Sequence, residues 1–96
     1  MVFEIKDTVK VDESVMPIPA RFRKRPELII GNDYYYSFGL HRACPCKLVS
    51  IDETLNMVVV ESIRIRGKKE SILQHQLYWD EIGVTPEEAI INTVIF

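Results

Sequence analysis

Three residues near the middle of the chain have the types and spacing of metal ligands. They are His41, Cys44 and Cys46, and His75 is a fourth donor further along. Thiolate and imidazole groups suit zinc, but structural zinc sites usually carry cysteine pairs separated by two residues, and Cys-Pro-Cys is tighter than that. Cys44 and Cys46 would share one face of a strand, so burial in the core is the favoured prediction. We therefore expect no metal and no cofactor.

The same cysteines and histidines could form a nucleophilic pair. Such a pair needs an activated, partly exposed thiolate and a third group that orients the histidine, and nothing in the sequence marks one. The chain also has no glycine-rich phosphate loop, no Gly-x-Ser-x-Gly and no His-Glu-x-x-His. The paired acids at 52–53 and 87–88 fall where turn and helix-capping chemistry explains them. We therefore expect a protein that is not an enzyme.

Two basic clusters stand out in a chain whose net charge is −2. The first contains Arg21, Arg23, Lys24 and Arg25, and the second contains Arg64, Arg66, Lys68 and Lys69. The near balance of charge argues against a general nucleic-acid binder, and solvated segments explain both clusters more simply. If the first cluster folds back onto the second, they could form one patch for the nucleic-acid backbone, which stays an alternative.

Aromatic residues are the other candidate binding resource. They are Tyr34, Tyr35, Tyr36, Phe38, Tyr78 and Trp79. The period of a strand separates Tyr35 from the neighbouring rings, so Tyr35 is the ring that we expect to be exposed and available to a ligand. The simpler explanation is that half of these rings fill a small core.

One β-hairpin organises the chain. Two apolar, β-branched runs at 46–51 and 57–65 flank a polar turn at 52–56. Residues 70–79 are predicted to be a third arm, with a helical turn as the alternative. Alternation predicts a strand over 3–11, with Phe3, Ile5, Val9 and Val11 on one side.

The remaining segments are predicted to be short. Two short strands at 27–30 and 34–38 flank a turn at 31–33. Three prolines and the first basic cluster make 15–26 an extended surface connection. Thr85 as N-cap, Pro86 at N1 and Glu88 at N3 predict a short helix over 85–92. Its packing face would contain Ala89, Ile90 and Val94.

These elements predict one mainly β domain over residues 1–96. Five or six short strands form a small, strongly bent antiparallel sheet or an SH3-like barrel, with one short C-terminal helix. About half of the chain resembles SH3-like barrels of the Tudor and KOW kind. The resemblance is carried by residues 31–34, the arm at 46–51, the Asp-Glu-Thr turn and the arm at 57–61. It implies a binding module, since Tudor-like barrels hold cationic ligands in aromatic cages.

The expected function is binding to a protein or peptide partner, through an exposed sheet edge, Tyr35 and the tail helix. A nucleic-acid-binding barrel is the alternative. A third hypothesis is a structural subunit of a phage or mobile element that assembles as an oligomer. No run of residues reaches the length of a membrane span, no secretory signal is visible, and two cysteines are a poor disulfide framework. The cytoplasm is therefore the expected location.

Overall fold

The chain folds into one antiparallel sheet of six strands followed by a short helix. The computed structural model describes residues 4–23 and 25–93. The strands are β1 (Glu4–Ile5), β2 (Val9–Lys10), β3 (Asp33–Gly39), β4 (Arg42–Asp52), β5 (Met57–Arg66) and β6 (Lys69–Tyr78), and the helix is α1 (Pro86–Ile91). Among the described residues no strand pairing closes the sheet into a barrel. Of the two predicted architectures, the open, bent sheet is the one present.

The sheet bends strongly around one face. β3 pairs with β4, β4 with β5 and β5 with β6, so two strands separate β3 from β6. Even so, the ring of Tyr36 in β3 lies 4.5 Å, centroid to centroid, from the ring of His75 in β6. We call the side that carries these two rings the concave face and the opposite side the outer face.

The main core fills the concave face. Its buried members are Tyr34, Tyr36, Cys44, Cys46, Leu48, Val58, Val60 and Ile82. Burial of both cysteines confirms the prediction that they share one face of a strand and belong to the core. The hydroxyl of Tyr36 bonds to another buried side chain in this core: Ser62 Oγ donates to Tyr36 Oη at 3.1 Å.

A smaller core covers the outer face of β3 and β4. Val11, Ala43, Ala89 and Ile90 are buried there, with Tyr35 packed against them. Helix α1 supplies two of these residues, so it lies across these two strands. The two cores therefore sandwich β3 and β4.

The predicted hairpin is confirmed. β4 and β5 flank the turn, in which Asp52 Oδ1 accepts hydrogen bonds from the backbone of Thr54 and Leu55. The third arm is also confirmed as a strand, since β6 pairs with β5 over ten consecutive residues. The alternative of a helical turn at 70–79 is wrong.

Pro45 marks the point where β4 and β5 separate. Tyr35, opposite Pro45, directs its backbone N–H and C=O to Gly83, at 2.8 and 2.9 Å. Antiparallel pairs alternate in the direction of their hydrogen bonds, so the backbone of Pro45 faces β5. Lys47 and Glu61 are the last residues at which β4 and β5 pair. The next hydrogen bond between these strands would run from the N–H of Pro45 to the carbonyl of Ile63, and proline has no N–H. The carbonyl of Ile63 accepts from the N–H of Lys6 instead, at 2.8 Å.

The prediction of one strand over residues 3–11 is wrong. The described part of this segment forms two strands, and β1 pairs with β5 while β2 pairs with β4, so together they occupy the gap between the separated strands. Asp7 lies between them with φ of 60° and turns the chain from one partner to the other. Phe3 lies outside the described residues.

Helix α1 begins as predicted. Thr85 is the N-cap, its Oγ1 accepts from the N–H of Glu88 at 3.2 Å, and Pro86 opens the helix. Asn92 is the C-cap. Ala89 and Ile90 are buried as predicted, and Val94 lies outside the described residues.

The segment before β3 is less regular than predicted. The described residues of the connection at 15–26 are irregular except for a 3-10 turn at Ala20–Phe22. Residues 27–30 do not form a strand, because their backbone is held by a side chain instead. Tyr34 Oη donates to the carbonyl of Glu27 at 2.6 Å and accepts from the N–H of Ile29 at 2.8 Å.

Candidate functional site

The most accessible binding feature is the outer edge of β6. Among the described residues β6 pairs only with β5, in a continuous register of ten residues without a bulge. A two-residue turn, with Gly67 at φ of 65° in its first position, connects these strands, so Arg66 and Lys69 form the hydrogen-bonded pair that closes the hairpin. Alternation from this pair turns the backbone of the odd-numbered β6 residues toward β5.

The even-numbered residues of β6 therefore point their N–H and C=O groups away from the sheet. They are Glu70, Ile72, Gln74, Gln76 and Tyr78, and all five are exposed. The carbonyl of Tyr78 already accepts from Glu81 at 3.0 Å. The uninterrupted part of the edge is thus the N–H and C=O groups of Ile72, Gln74 and Gln76.

This edge carries none of the usual protection against strand pairing. Natural edge strands are short, bulged, or interrupted by charged residues or proline. Residues 71–78 contain no Asp, Glu, Lys, Arg, Pro or Gly. The opposite edge of the sheet is protected, because β3 has a register shift after Tyr36 and pairs with Gly83 on its outer side.

Apolar side chains accompany the edge on the outer face. Ile72 is 68% exposed and Tyr78 is 54% exposed. Ile72 stands opposite Ile63 of β5, which is also exposed. A strand added at β6 would therefore find an apolar side chain near each end of the uncharged segment.

A groove of about 480 Å³ continues from Ile72 across the outer face. It lies where β4 and β5 separate at Pro45. Its lining combines apolar groups with charges of both signs, and includes Lys6, Asp33, Tyr35, Pro45, Lys47, Glu61, Ile63 and Ile72. Two contacts fix polar groups at its rim, since Lys6 Nζ lies 3.1 Å from Glu70 Oε1 and Gln74 Nε2 donates to Glu61 Oε1 at 2.6 Å.

Tyr35, the ring that the sequence singles out, is half-buried in this arrangement. It packs against the smaller core and contributes to the groove. The most exposed ring of β3 is instead that of Phe38, at 69%. Period-2 alternation predicts that Phe38 shares a face with Tyr34 and Tyr36, and its ring does lie 5.0 Å from the ring of Tyr36 and 5.8 Å from the ring of His75.

The four metal-ligand candidates occupy different surroundings. Burial raises the pKa of both thiols, to about 12 for Cys46, which keeps them protonated and unreactive. His41 belongs to the turn between β3 and β4, and His75 packs on Tyr36. Residues 4–23 and 25–93 contain no group of three or more His, Cys, Asp and Glu residues that could hold a metal ion.

His75 is nevertheless unusual. Both nitrogens of its ring are buried, and neither has a hydrogen-bond partner within the described parts of the chain. Burial lowers the pKa of this imidazole. The ring therefore acts as an apolar group on the concave face of the edge strand.

Arg25 of the first basic cluster and Lys69 of the second lie at opposite ends of β6. The guanidinium of Arg25 stacks on the ring of Trp79 at 3.7 Å, just after β6, whereas Lys69 begins this strand. Ten residues of β-strand span about 30 Å. The structure thus does not bring the clusters together as one patch.

Several basic side chains also have structural contacts. Arg23 donates to the carbonyls of Ile18 and Thr93, and Arg64 Nε donates to Ser71 Oγ. Arg21 contacts the ring of Phe22, Arg66 and Lys68 lie at the tip of the β5–β6 hairpin, and Lys24 lies outside the described residues.

The β3–β4 turn is a further feature that sequence reasoning missed. Leu40 and His41 both have positive φ, of 58° and 54°, in a two-residue turn where Asn-Gly is usual. Leu40 is 89% exposed. The residue types signal this turn only weakly, because histidine is enriched at positive φ but leucine is not.

No protein-family model, no curated protein and no solved structure matches this chain. Within the described ranges no helix is long and apolar enough to span a membrane.

Proposed function

We propose that this protein is a non-catalytic β module that binds an extended segment of a protein partner by adding it as a strand to β6. The observation that supports this proposal is the outer edge of β6, which is ten residues long, exposed and continuous. Residues 71–78 of this strand have no charge to repel an approaching backbone. Strand addition uses such edges, with main-chain hydrogen bonds supplying affinity and side-chain sites supplying specificity.

The backbone groups at Ile72, Gln74 and Gln76 offer three donors and three acceptors. Each hydrogen bond contributes about 0.5–1.5 kcal/mol net, and each favourable cross-strand pair adds about 0.2–1 kcal/mol. The backbone groups alone therefore support only modest affinity. Side chains of the partner that contact Ile72, Tyr78 and the groove at Pro45 would determine which sequence is selected.

Replacing Gln74 by proline tests this proposal, because it removes a single backbone N–H from the edge of β6. The N–H of Gln74 points away from β5, so Gln74→Pro removes a donor of the outer edge and leaves the β5–β6 ladder intact. Gln74→Ala is the matched control, because it removes the same side chain, including its bond to Glu61, and keeps the N–H. Circular dichroism and thermal unfolding verify that both variants are folded.

The probe is a display library of linear ten-residue peptides selected against wild-type protein. We expect enriched peptides to bind wild type and Gln74→Ala with similar affinity and to bind Gln74→Pro at least tenfold more weakly. Equal binding to all three proteins, or no enrichment, would contradict strand addition at β6.

Nucleic-acid binding stays an alternative, with the hairpin-tip residues Arg64, Arg66, Lys68 and Lys69 as its candidate contacts. The separation of the two basic clusters by about 30 Å of strand makes one continuous phosphate-binding strip the less favoured arrangement. The assembly-subunit hypothesis is compatible with strand addition. We also propose a cytoplasmic location, which the two unpaired cysteines support.

A further inference from the structure

We infer that the strand added at β6 is the β6 strand of a second copy of this chain, paired antiparallel about a two-fold axis at His75. This inference rests on the proposed function, because it requires the outer edge of β6 to accept a strand. It identifies the partner as another molecule of the same protein.

The backbone restricts the registers that such a pair can adopt. Hydrogen bonds form only between residues whose backbone faces outward, which are the even-numbered residues of β6. A symmetric antiparallel pair must therefore be centred on a single residue, and the candidates near the middle of the strand are Leu73, Gln74 and His75. Side chains then decide among these three registers.

Centring the pair on His75 brings the exposed apolar side chains of one copy opposite those of the other. Ile72 of one copy then lies opposite Tyr78 of the other, twice by symmetry, and Gln74 lies opposite Gln76. Aromatic and β-branched pairs are among the favourable cross-strand combinations. On the concave side the same register sets Leu73 opposite Leu77. Residues 72–78 pair with each other, and Lys69 and Glu70 stay outside the paired segment. The carbonyl of Tyr78, which accepts from Glu81, has a second lone pair that can accept from the N–H of Ile72.

Centring the pair on Gln74 gives a poorer match. It sets Ile72 opposite Gln76 and Glu70 opposite Tyr78, so the exposed apolar side chains face polar ones. Centring on Leu73 moves Tyr78 beyond the end of the partner strand. The distribution of side chains along β6 thus favours one register, as expected for an edge that pairs with itself.

Sedimentation velocity over a range of protein concentrations tests self-association. We expect the average mass of the wild type and of Gln74→Ala to rise from 11.2 kDa toward twice that value with concentration. Gln74→Pro should remain monomeric throughout. Gln74→Lys gives a second variant that keeps the N–H and introduces like charges near the axis, and it should raise the dimer dissociation constant at least tenfold.

Cysteine cross-linking tests the register. Residues at the centre of an antiparallel pair have Cα atoms about 4.5–5.5 Å apart, within the range of a disulfide. Under mild oxidation His75→Cys should form a covalent dimer in high yield, and Leu73→Cys and Gln74→Cys should not. Preferential cross-linking of either of the other two variants would overturn the register.

The two proposals can fail separately. A monomeric wild type that still binds selected peptides through the N–H of Gln74 would overturn the dimer and leave strand addition standing. A monomeric wild type that selects no such peptide would overturn both. A dimer that persists in Gln74→Pro and Gln74→Lys would show that the chain associates through another surface, and would overturn this inference.

Discussion

At the scale of single residues, the core on the concave face holds polar groups in neutral form. The hydroxyls of Ser62 and Tyr36 bond to each other in the core, and burial raises the pKa of Tyr36. The ring of His75 packs edge-on against Tyr36, with both nitrogens buried. A proton on this imidazole would create a charge that no nearby hydrogen-bond acceptor stabilises.

His75 therefore makes stability depend on pH. Its pKa in the folded chain lies below the ordinary value of about 6.5, which applies to the unfolded chain. As pH falls through about 6.5 the unfolded state binds the proton first, so the free energy of unfolding decreases until pH passes the lowered folded pKa. Above that window both states are neutral and this contribution is constant.

Urea unfolding at pH 7.5 and at successively lower pH measures this effect. We expect the wild type to lose stability as pH falls below about 6.5, and His75→Phe to lose less over the same interval. An unchanged pH profile in His75→Phe would contradict a buried neutral imidazole.

At the scale of elements, Gly83 connects helix α1 to the sheet. Its backbone pairs with Tyr35 on β3, and a Cβ atom at Gly83 would lie 2.7 Å from the backbone nitrogen of Ala89 and from Cβ of Glu88. The residue that bridges to β3 therefore approaches helix α1 at a distance that only glycine allows. The bridge between Gly83 and Tyr35 also covers part of the free edge of β3, the edge that faces away from β4. The edge of β6 is therefore the open edge of the sheet.

Gly83→Ala should displace the helix. Overpacking of this kind costs about 1–3 kcal/mol, and we expect a loss of that size in the free energy of unfolding by urea. The matched control is Val84→Ala at the exposed neighbouring residue, which should change stability by less than about 0.5 kcal/mol. Wild-type stability in Gly83→Ala would show that the helix moves without cost.

Local sequence patterns predicted some elements and could not predict others. The hairpin of β4 and β5 and the start of α1 depend on adjacent residues, such as Thr85 and Glu88, and both predictions are confirmed. The break at Asp7 was missed because it depends on the separation of β4 from β5 at Pro45, which is distant in sequence. The alternation of apolar and polar residues over 3–11 cannot show that this segment pairs first with β5 and then with β4.

The candidate site was predictable only in part. The absence of charge over 71–78 is visible in the sequence, but that β6 lies at an edge follows from strand order, which the sequence pattern does not supply. Tyr35 was expected to be exposed, yet α1 and the smaller core cover half of it, since helix packing is a tertiary contact. The groove is likewise a product of strand separation.

At the scale of the whole molecule, the open sheet has two unequal edges. β3 is bulged and bridged by Gly83, whereas β6 exposes a continuous row of backbone groups. An unprotected edge of this length is usually a liability for aggregation. We therefore propose that this edge is paired with another strand in the functional state.

Amide hydrogen exchange, resolved by residue in NMR spectra at low and high protein concentration, shows whether the outer edge of β6 is paired. In the monomer the amides of Leu73, His75 and Leu77 bond to β5 and should be protected, and the outward amides of Ile72, Gln74, Gln76 and Tyr78 should exchange rapidly. Pairing at the edge predicts that the second set alone becomes protected as concentration rises. Rapid exchange of this set at every concentration, both without peptide and with a selected peptide bound, would contradict strand addition at β6.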